Sequence, residues 1–215
     1  MLQTNKLFSK VFLWLFVGLL VTFATGYAIQ NNEPLLNNLF TGKGYFLIWI
    51  AEIVLALVLS FRIHKMNPTT ATVLYLLYTM LTGLTFATIF IVYQLDSIIF
   101  VFGITAVVML IFGLIGYKTN LDLTKISTFL LIGLISLILL SILSVFIQSV
   151  ALNFGLILFS LLLFLIYVAY DVQMIKRKVY GINNEDSLAI YGAFQLYIDF
   201  INIFLDLLRL FGKER

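Results

Sequence analysis

Seven long apolar runs, each bounded by polar or charged residues, dominate this sequence. They cover residues 7–29, 44–63, 71–93, 97–117, 127–147, 151–175 and 188–211. Each run provides the roughly 20 residues that a membrane-spanning helix needs, and each is far longer than the 9–11 residues of a barrel strand. The connections between them are short. The pattern therefore predicts an all-α integral membrane protein, with residues 1–215 forming a single seven-helix membrane domain.

The scarcity of charged residues argues against a water-soluble fold. Only 11% of the 215 residues are charged, against about 25% in a typical soluble domain. The chain has no cysteine, which excludes disulfides and thiol chemistry. It has a single histidine, which argues against haem, zinc or di-iron sites built on several imidazoles. The net charge of +3 is spread over the loops, so we expect no nucleic-acid partner.

Lysine and arginine are distributed unevenly between the two sides of the predicted membrane domain. With the N-terminus in the cytoplasm, nine basic residues lie in cytoplasmic segments and only Lys43 lies in an external loop. This asymmetry predicts a cytoplasmic N-terminus. A full seventh crossing, however, places Arg209, Lys213 and Arg215 outside. The last segment therefore either spans against the rule or re-enters and returns, and the sequence leaves both open.

A narrow polar stripe runs along this last segment. Its members are Gln195, Asp199, Asn202, Asp206 and Arg209. At 100° per residue they share an arc of about 80°, which predicts a face turned toward other helices or water. Interhelical hydrogen bonds, worth roughly 0.6 kcal/mol each, account for Gln195 and Asn202. A carboxylate inside a membrane costs about 2.5–3.5 kcal/mol, so Asp199 indicates function.

Two further acids lie in other apolar runs. Asp171 is five residues before a KRK stretch, and its position alone fits either a solvated helix-end acid or a functional one. Glu52 lies midway along the second run, either in a wet cavity or protonated and hydrogen-bonded. Ten residues separate Glu52 from Arg62, which is about 15 Å along a helix, so the two do not pair directly.

Motifs for catalysis are mostly absent. The zinc-protease pattern H-E-x-x-H does not occur, and residues 188–209 contain no lysine that could bind retinal. An intramembrane aspartyl protease is the sharper alternative, because Tyr170 and Asp171 form a Tyr-Asp pair. The second aspartate of such a protease lies in G-x-G-D, whereas Asp199 follows Tyr197 in YID. We therefore expect that the chain is not an enzyme.

Three stretches of the sequence are distinctive. They read YKTNLDLTKISTFLLIGLI at 117–135, YVAYDVQMIK at 167–176 and AFQLYIDFINIFLDLLRLFG at 193–212. All three resemble the transmembrane Bax inhibitor motif family, the Bax inhibitor-one-like membrane proteins. The second is similar to the family's YD-x-Q-x-I signature and the third to its terminal LYLDFINLF stretch. YTMLTGLT at 78–85 is a weaker match. The resemblance covers roughly residues 60–212 and is most specific in the last stretch.

The resemblance implies both a fold and an activity. The family's fold has two three-helix layers around a central seventh helix, and its members are described as pH-sensitive calcium leak channels. Their sensor, an aspartate pair from helices six and seven, corresponds to Asp171 and Asp199. A basic residue of helix two latches the sensor, and Arg62 is the best match. Asp206 departs from the family, since an apolar or small residue is more usual there.

These observations predict a pH-sensitive calcium leak channel of a bacterial plasma membrane. Ca²⁺ takes six to eight oxygen ligands, so Asp171 and Asp199 would bind it weakly, with Glu52, Asn202 and Asp206 along the possible ion path. We expect no cofactor, Ca²⁺ as the permeant ion, the lipid bilayer as partner, and a monomer. The alternatives are a membrane-embedded regulator or scaffold of other membrane proteins without intrinsic transport, and an intramembrane aspartyl protease.

Overall fold

Seven long helices make up nearly all of the part of the protein that the structure describes. A computed structural model describes residues 2–32, 34–36, 44–178 and 185–215. The helices are α1 (Leu2–Gln30), α2 (Gly44–Arg62), α3 (Pro68–Val92), α4 (Leu95–Lys118), α5 (Ser127–Ile147), α6 (Val150–Lys178) and α7 (Glu185–Phe211). All seven are long and apolar enough to cross a bilayer. The described residues contain no β-strand, and the predicted all-α integral membrane fold is confirmed.

The helices continue beyond the apolar runs into charged residues. α6 runs on through the basic stretch to Lys178, and α7 begins at Glu185. Acidic residues in the first turn of α7 favour that start, because they face the positive end of the helix dipole. At α3, the Asn67 side chain accepts a hydrogen bond from the Thr70 N–H and Pro68 occupies the first turn. Lys43, expected in an external loop, lies outside the described residues.

The chain forms two compact units, and α7 contributes its first half to one and its second half to the other. The first unit holds α1–α3, α7 up to Tyr197, and Lys213–Arg215. Glycines bring its helices together: a Cβ at Gly83 would lie 2.6 Å from Thr25 Cβ, and one at Gly26 would lie 3.0 Å from the Gly83 carbonyl oxygen. Small residues of this kind let membrane helices pack backbone to backbone.

The second unit holds α4–α6 and α7 from Ile198. Gly116 of α4 packs directly on the backbone of Ala169 in α6, where a Cβ would lie 2.7 Å from both the Cα and the carbonyl carbon. Gly133 of α5 also makes a close contact, but with the side chain of Leu163 and not with its backbone. Each unit thus holds three of the first six helices and a part of α7, and the arrangement of two three-helix layers around a central α7 stays a prediction. That all 215 residues form one domain stays a prediction.

Burial sets α7 apart from the other helices. In its most apolar 18-residue window, 72% of residues are buried, against 6–39% in the other six. By contrast, α1–α6 have many exposed large apolar side chains, among them Phe12, Phe46, Phe100, Phe129 and Phe154. A water-soluble protein does not expose so much apolar surface, whereas lipid accepts it. The least hydrophobic of the predicted helices is thus the one most shielded by protein.

Both ends of α7 are hydrogen-bonded near the corresponding ends of α3. At the start, the Ser187 hydroxyl donates to the Met66 carbonyl oxygen at 3.2 Å. At the end, the Gln94 N–H donates to the Lys213 carbonyl oxygen at 2.9 Å. Between these two bonds α7 is one continuous helix of 27 residues, with no turn at which it could reverse, and it is long and apolar enough to cross a bilayer. The re-entrant alternative for the last segment is therefore wrong.

Candidate functional site

The second half of α7 carries the polar face that the sequence predicted. Asp199, Asn202 and Asp206 follow one another at spacings of three and four residues, which place them on one side of a helix. Asp199 is 2% exposed and Asp206 3% exposed, while Asn202 is half-buried. The Asn202 amide donates to the Ile198 carbonyl oxygen at 2.8 Å. The two acids are therefore shielded from lipid, as expected for a helix surrounded by others.

Asp171 of α6 and Asp199 of α7 form a hydrogen-bonded pair. Asp171 is 5% exposed, so the alternative of a solvated helix-end acid is wrong. A carboxylate without a proton can only accept hydrogen bonds, so a bond between two carboxyl groups requires that one of them hold a proton. The second oxygen of Asp199, Oδ2, is buried and has no hydrogen-bond partner among the described residues. The pair can thus release or gain a proton as one coupled unit.

The end of α6 beyond Asp171 is bound to the turn between α4 and α5. The Gln173 amide donates to the Leu121 carbonyl oxygen at 2.8 Å and accepts from the Leu123 N–H at 2.9 Å. Lys176 donates to the Tyr117 carbonyl oxygen at 2.7 Å and lies 4.4 Å from the centre of its ring. These contacts fix the helix that carries Asp171. Sequence reasoning assigned no role to Gln173, although the residue belongs to the YD-x-Q-x-I motif.

An ion pair completes this attachment. Arg177 Nη1 lies 2.7 Å from Asp122 Oδ1. The Asp122 side chain also accepts from the hydroxyl and the N–H of Thr124, at 2.7 and 3.1 Å. These hydrogen bonds from Thr124, together with the Arg177 guanidinium, hold the pKa of Asp122 below its ordinary value. Asp122 therefore stays ionised at neutral pH, and this attachment does not titrate there.

Glu52 lies in a hydrogen-bonded network of hydroxyl groups in the first unit. Its Oε1 accepts from the Thr82 hydroxyl at 2.8 Å, and Thr82 is also hydrogen-bonded to Tyr78 and Tyr197. The Tyr197 hydroxyl is 2.5 Å from the Thr22 hydroxyl. Glu52 is half-buried. Of the two readings of Glu52 from the sequence, the hydrogen-bonded one has structural support. The threonines and Tyr197 were not predicted, since isolated hydroxyls in apolar helices give no periodic signal.

Asp206 has different neighbours from the aspartate pair. It is hydrogen-bonded to Ser160 of α6, and its Oδ1 lies 3.8 Å from Arg209 Nη1, three residues later. Its Oδ2 is buried and has no hydrogen-bond partner among the described residues. Ser160 was not predicted. Arg62, the predicted latch, ends α2 with an exposed side chain, and its role stays a prediction.

No set of ligands for tight metal binding is present in the part of the chain that the structure describes, since no three His, Cys, Asp or Glu side chains are grouped there. The aspartate pair provides at most four carboxylate oxygens, fewer than the six to eight that Ca²⁺ takes. Water and carbonyl groups would have to supply the rest. The geometry is compatible with weak and transient binding of a cation.

Comparison with known proteins identifies the family. The family model described as "Inhibitor of apoptosis-promoting Bax1" matches residues 4–215. A protein of Borreliella burgdorferi is 36% identical over 216 residues, covering 98% of this chain and 93% of that protein. Inner membrane protein YbhL of Escherichia coli is 36% identical over 213 residues, covering 96% of this chain and 91% of YbhL. A Rickettsia prowazekii protein is 35% identical over 210 residues, covering 96% of this chain and 89% of that protein. The chain belongs to the Bax inhibitor-one-like family of integral membrane proteins.

Proposed function

We propose that this protein lets Ca²⁺ leak down its gradient across a bacterial plasma membrane, under the control of pH. The observation that carries the proposal is the buried, hydrogen-bonded pair of Asp171 and Asp199. A shared proton between two carboxyl groups is a natural sensor, because the charge of the pair changes by a whole unit when that proton leaves. The family resemblance assigns the same two positions to the sensor.

The gate opens when the pair gains protons. Ionised Asp171 pairs with Arg62, the latch implied by the resemblance, and holds the helices closed. When Asp171 is protonated, that attraction is lost and the helices can part. The leak therefore increases as the pH falls. Glu52, Asn202 and Asp206 are the further polar groups along the possible ion path.

Weak binding suits a leak better than it suits storage or pumping. An ion must enter a conducting site readily and also leave it readily. Two or three carboxylates with water give Ca²⁺ an incomplete ligand shell, so the ion remains exchangeable. Ca²⁺ is thus the permeant ion rather than a resident cofactor, and the protein acts without catalytic turnover. A monomer embedded in lipid is sufficient for this activity.

Calcium flux into liposomes that contain only this protein tests the proposal. The wild-type protein should carry Ca²⁺ faster as the pH falls. Asp171→Asn keeps the shape but removes the titrating group, so its flux should be nearly independent of pH between about 6 and 8. Arg62→Ala should raise the flux at high pH, because the latch is lost. Asp96→Asn, at an exposed acid of α4, is the matched control. A wild-type pH profile in Asp171→Asn would show that the sensor assignment is wrong.

Two other functions make different predictions in simple assays. A regulator or scaffold without intrinsic transport would give no flux above that of protein-free liposomes. An intramembrane aspartyl protease has one observation in its favour, because two aspartates that share a proton are also the dyad of aspartyl proteases. Cleavage of a transmembrane peptide by the wild type, lost in Asp199→Asn, would support that activity.

The proposed orientation places the N-terminus in the cytoplasm. Lys10 of α1 lies 2.7 Å from Asp186 and 3.7 Å from Glu185, the first two residues of α7. The starts of α1 and α7 therefore lie on one side of the membrane. The excess of basic residues on that side supports its assignment as cytoplasmic.

A further inference from the structure

Asp206 is a buried acid that the proposed sensor and latch do not use. It is 3% exposed, and its Oδ2 is buried without a hydrogen-bond partner among the described residues. It lies seven residues after Asp199 on the same face of α7, about 10 Å along the helix axis. An open carboxylate oxygen in an apolar environment is costly unless something fills it at least part of the time.

Two polar groups lie next to the Asp206 carboxylate, the Ser160 hydroxyl and the positively charged Arg209 guanidinium. The Ser160 hydroxyl of α6 is hydrogen-bonded to the carboxylate. Arg209 Nη1 lies 3.8 Å from Oδ1, too long for a hydrogen bond, so neither neighbour takes up Oδ2. The Arg209 side chain is 57% exposed. A guanidinium so placed is held weakly and can move aside into solvent.

A further oxygen lies one turn away on α7. The Asn202 amide nitrogen donates to the Ile198 carbonyl oxygen, which leaves the amide oxygen of this half-buried side chain free to accept or to ligate. Residues four apart on a helix are neighbours, so Asn202 and Asp206 can contribute to the same site. The carboxylate, the Ser160 hydroxyl and the Asn202 amide oxygen are hard oxygen ligands of the kind that Ca²⁺ and Mn²⁺ prefer.

We infer that Asp206, Ser160 and Asn202 form a second, weak binding site for a divalent cation, and that the positive charge of the nearby Arg209 guanidinium weakens cation binding there. The cation takes the open Oδ2 and water completes its ligand shell. The physiological meaning of the site rests on the proposed function, since it would be a second station on the same ion path. Its existence does not depend on pH gating at the aspartate pair.

Cation binding to full-length protein that lacks the aspartate pair tests this inference. In the Asp171→Asn/Asp199→Asn background, free Mn²⁺ measured by electron paramagnetic resonance should reveal one weak site per chain, from which Ca²⁺ displaces Mn²⁺. Adding Asp206→Asn should abolish that site. Adding Arg209→Gln should instead strengthen Mn²⁺ binding roughly two- to fivefold, the range expected for loss of a competing exposed ion pair. Adding Asp96→Asn, at an exposed acid of α4 in the same unit, should leave binding unchanged.

The inference is overturned if the background protein binds no Mn²⁺, if the site survives Asp206→Asn, or if Arg209→Gln does not increase affinity. A gain of affinity in Arg209→Gln cannot come from misfolding, so this variant keeps the test decisive even if Asp206→Asn folds poorly. Failure of the proposed function has a separate signature, because it appears as an unchanged pH profile of calcium flux in Asp171→Asn. The two outcomes are therefore measured independently.

Discussion

Replacing Gly116 of α4 by alanine tests how closely α4 and α6 must approach beside the aspartate pair. The new Cβ would lie 2.7 Å from both the carbonyl carbon and the Cα of Ala169. The Ala169 carbonyl oxygen would lie closer still. These are backbone atoms, which cannot rotate away, so α6 must move by more than 0.7 Å before all three reach ordinary contact at 3.4 Å. Overpacking of this kind costs about 1–3 kcal/mol. For a chain of this length, the melting temperature should fall by about 2–12 °C.

The matched control is Gly103→Ala in the same helix, where a Cβ would have nothing within 4 Å. Both substitutions bring the same gain in helix propensity, so the difference between them isolates the contact with Ala169. Thermal unfolding in detergent, followed by circular dichroism, measures that difference. Ala169 lies two residues before Asp171, so Gly116→Ala should also raise calcium flux at high pH. Equal stability of the two variants would refute the close approach of α4 and α6.

Three further predictions concern other parts of the protein. Tyr197→Phe removes the hydroxyl bonded to Thr22 and should lower the free energy of unfolding by about 0.5–1.5 kcal/mol, measured by thermal denaturation. Asp122 has a lowered pKa, so its contribution to stability is present above the ordinary Asp value of about 3.9 and is lost only as the pH falls through the lower folded value. The protection factors of residues 121–126 in hydrogen exchange, which are corrected for the intrinsic pH dependence of exchange, should therefore fall only in strong acid, and a fall near pH 6 would contradict this. A cysteine at Lys6 should be protected from an impermeant maleimide outside intact cells, whereas one at Glu214 should react, and the opposite result would reverse the orientation.

The number and type of helices could be predicted from the sequence because the membrane imposes them locally. A continuous apolar run must satisfy its own backbone hydrogen bonds in lipid, and a helix does so without any partner. The ends of the helices were less predictable, since α6 and α7 extend into charged interfaces at Lys178 and Glu185. Whether the last segment crosses completely depended on hydrogen bonds at Met66 and Gln94, which hydropathy cannot reveal.

The candidate site was predictable only where acids mark it. A carboxylate in an apolar run is conspicuous because its transfer into lipid is costly, so Asp171, Asp199 and Asp206 were identified from the sequence. Their uncharged neighbours were not, because a single serine or threonine in a membrane helix is common and gives no pattern. Ser160 and Gln173 acquire meaning only when folding brings them to Asp206 and to the α4–α5 turn.

The attachment of α7 to the α3 region at both ends limits how the protein can move. A helix that is hydrogen-bonded at both ends cannot slide along its axis freely. A displacement of α7 along its axis would first have to break the hydrogen bond at Ser187 or the one at Lys213. Rotation, bending, or a displacement of α6 breaks neither. We therefore expect Asp171 and Asp199 to separate by a lateral motion, parallel to the plane of the membrane. The length of α7 should stay constant during this motion.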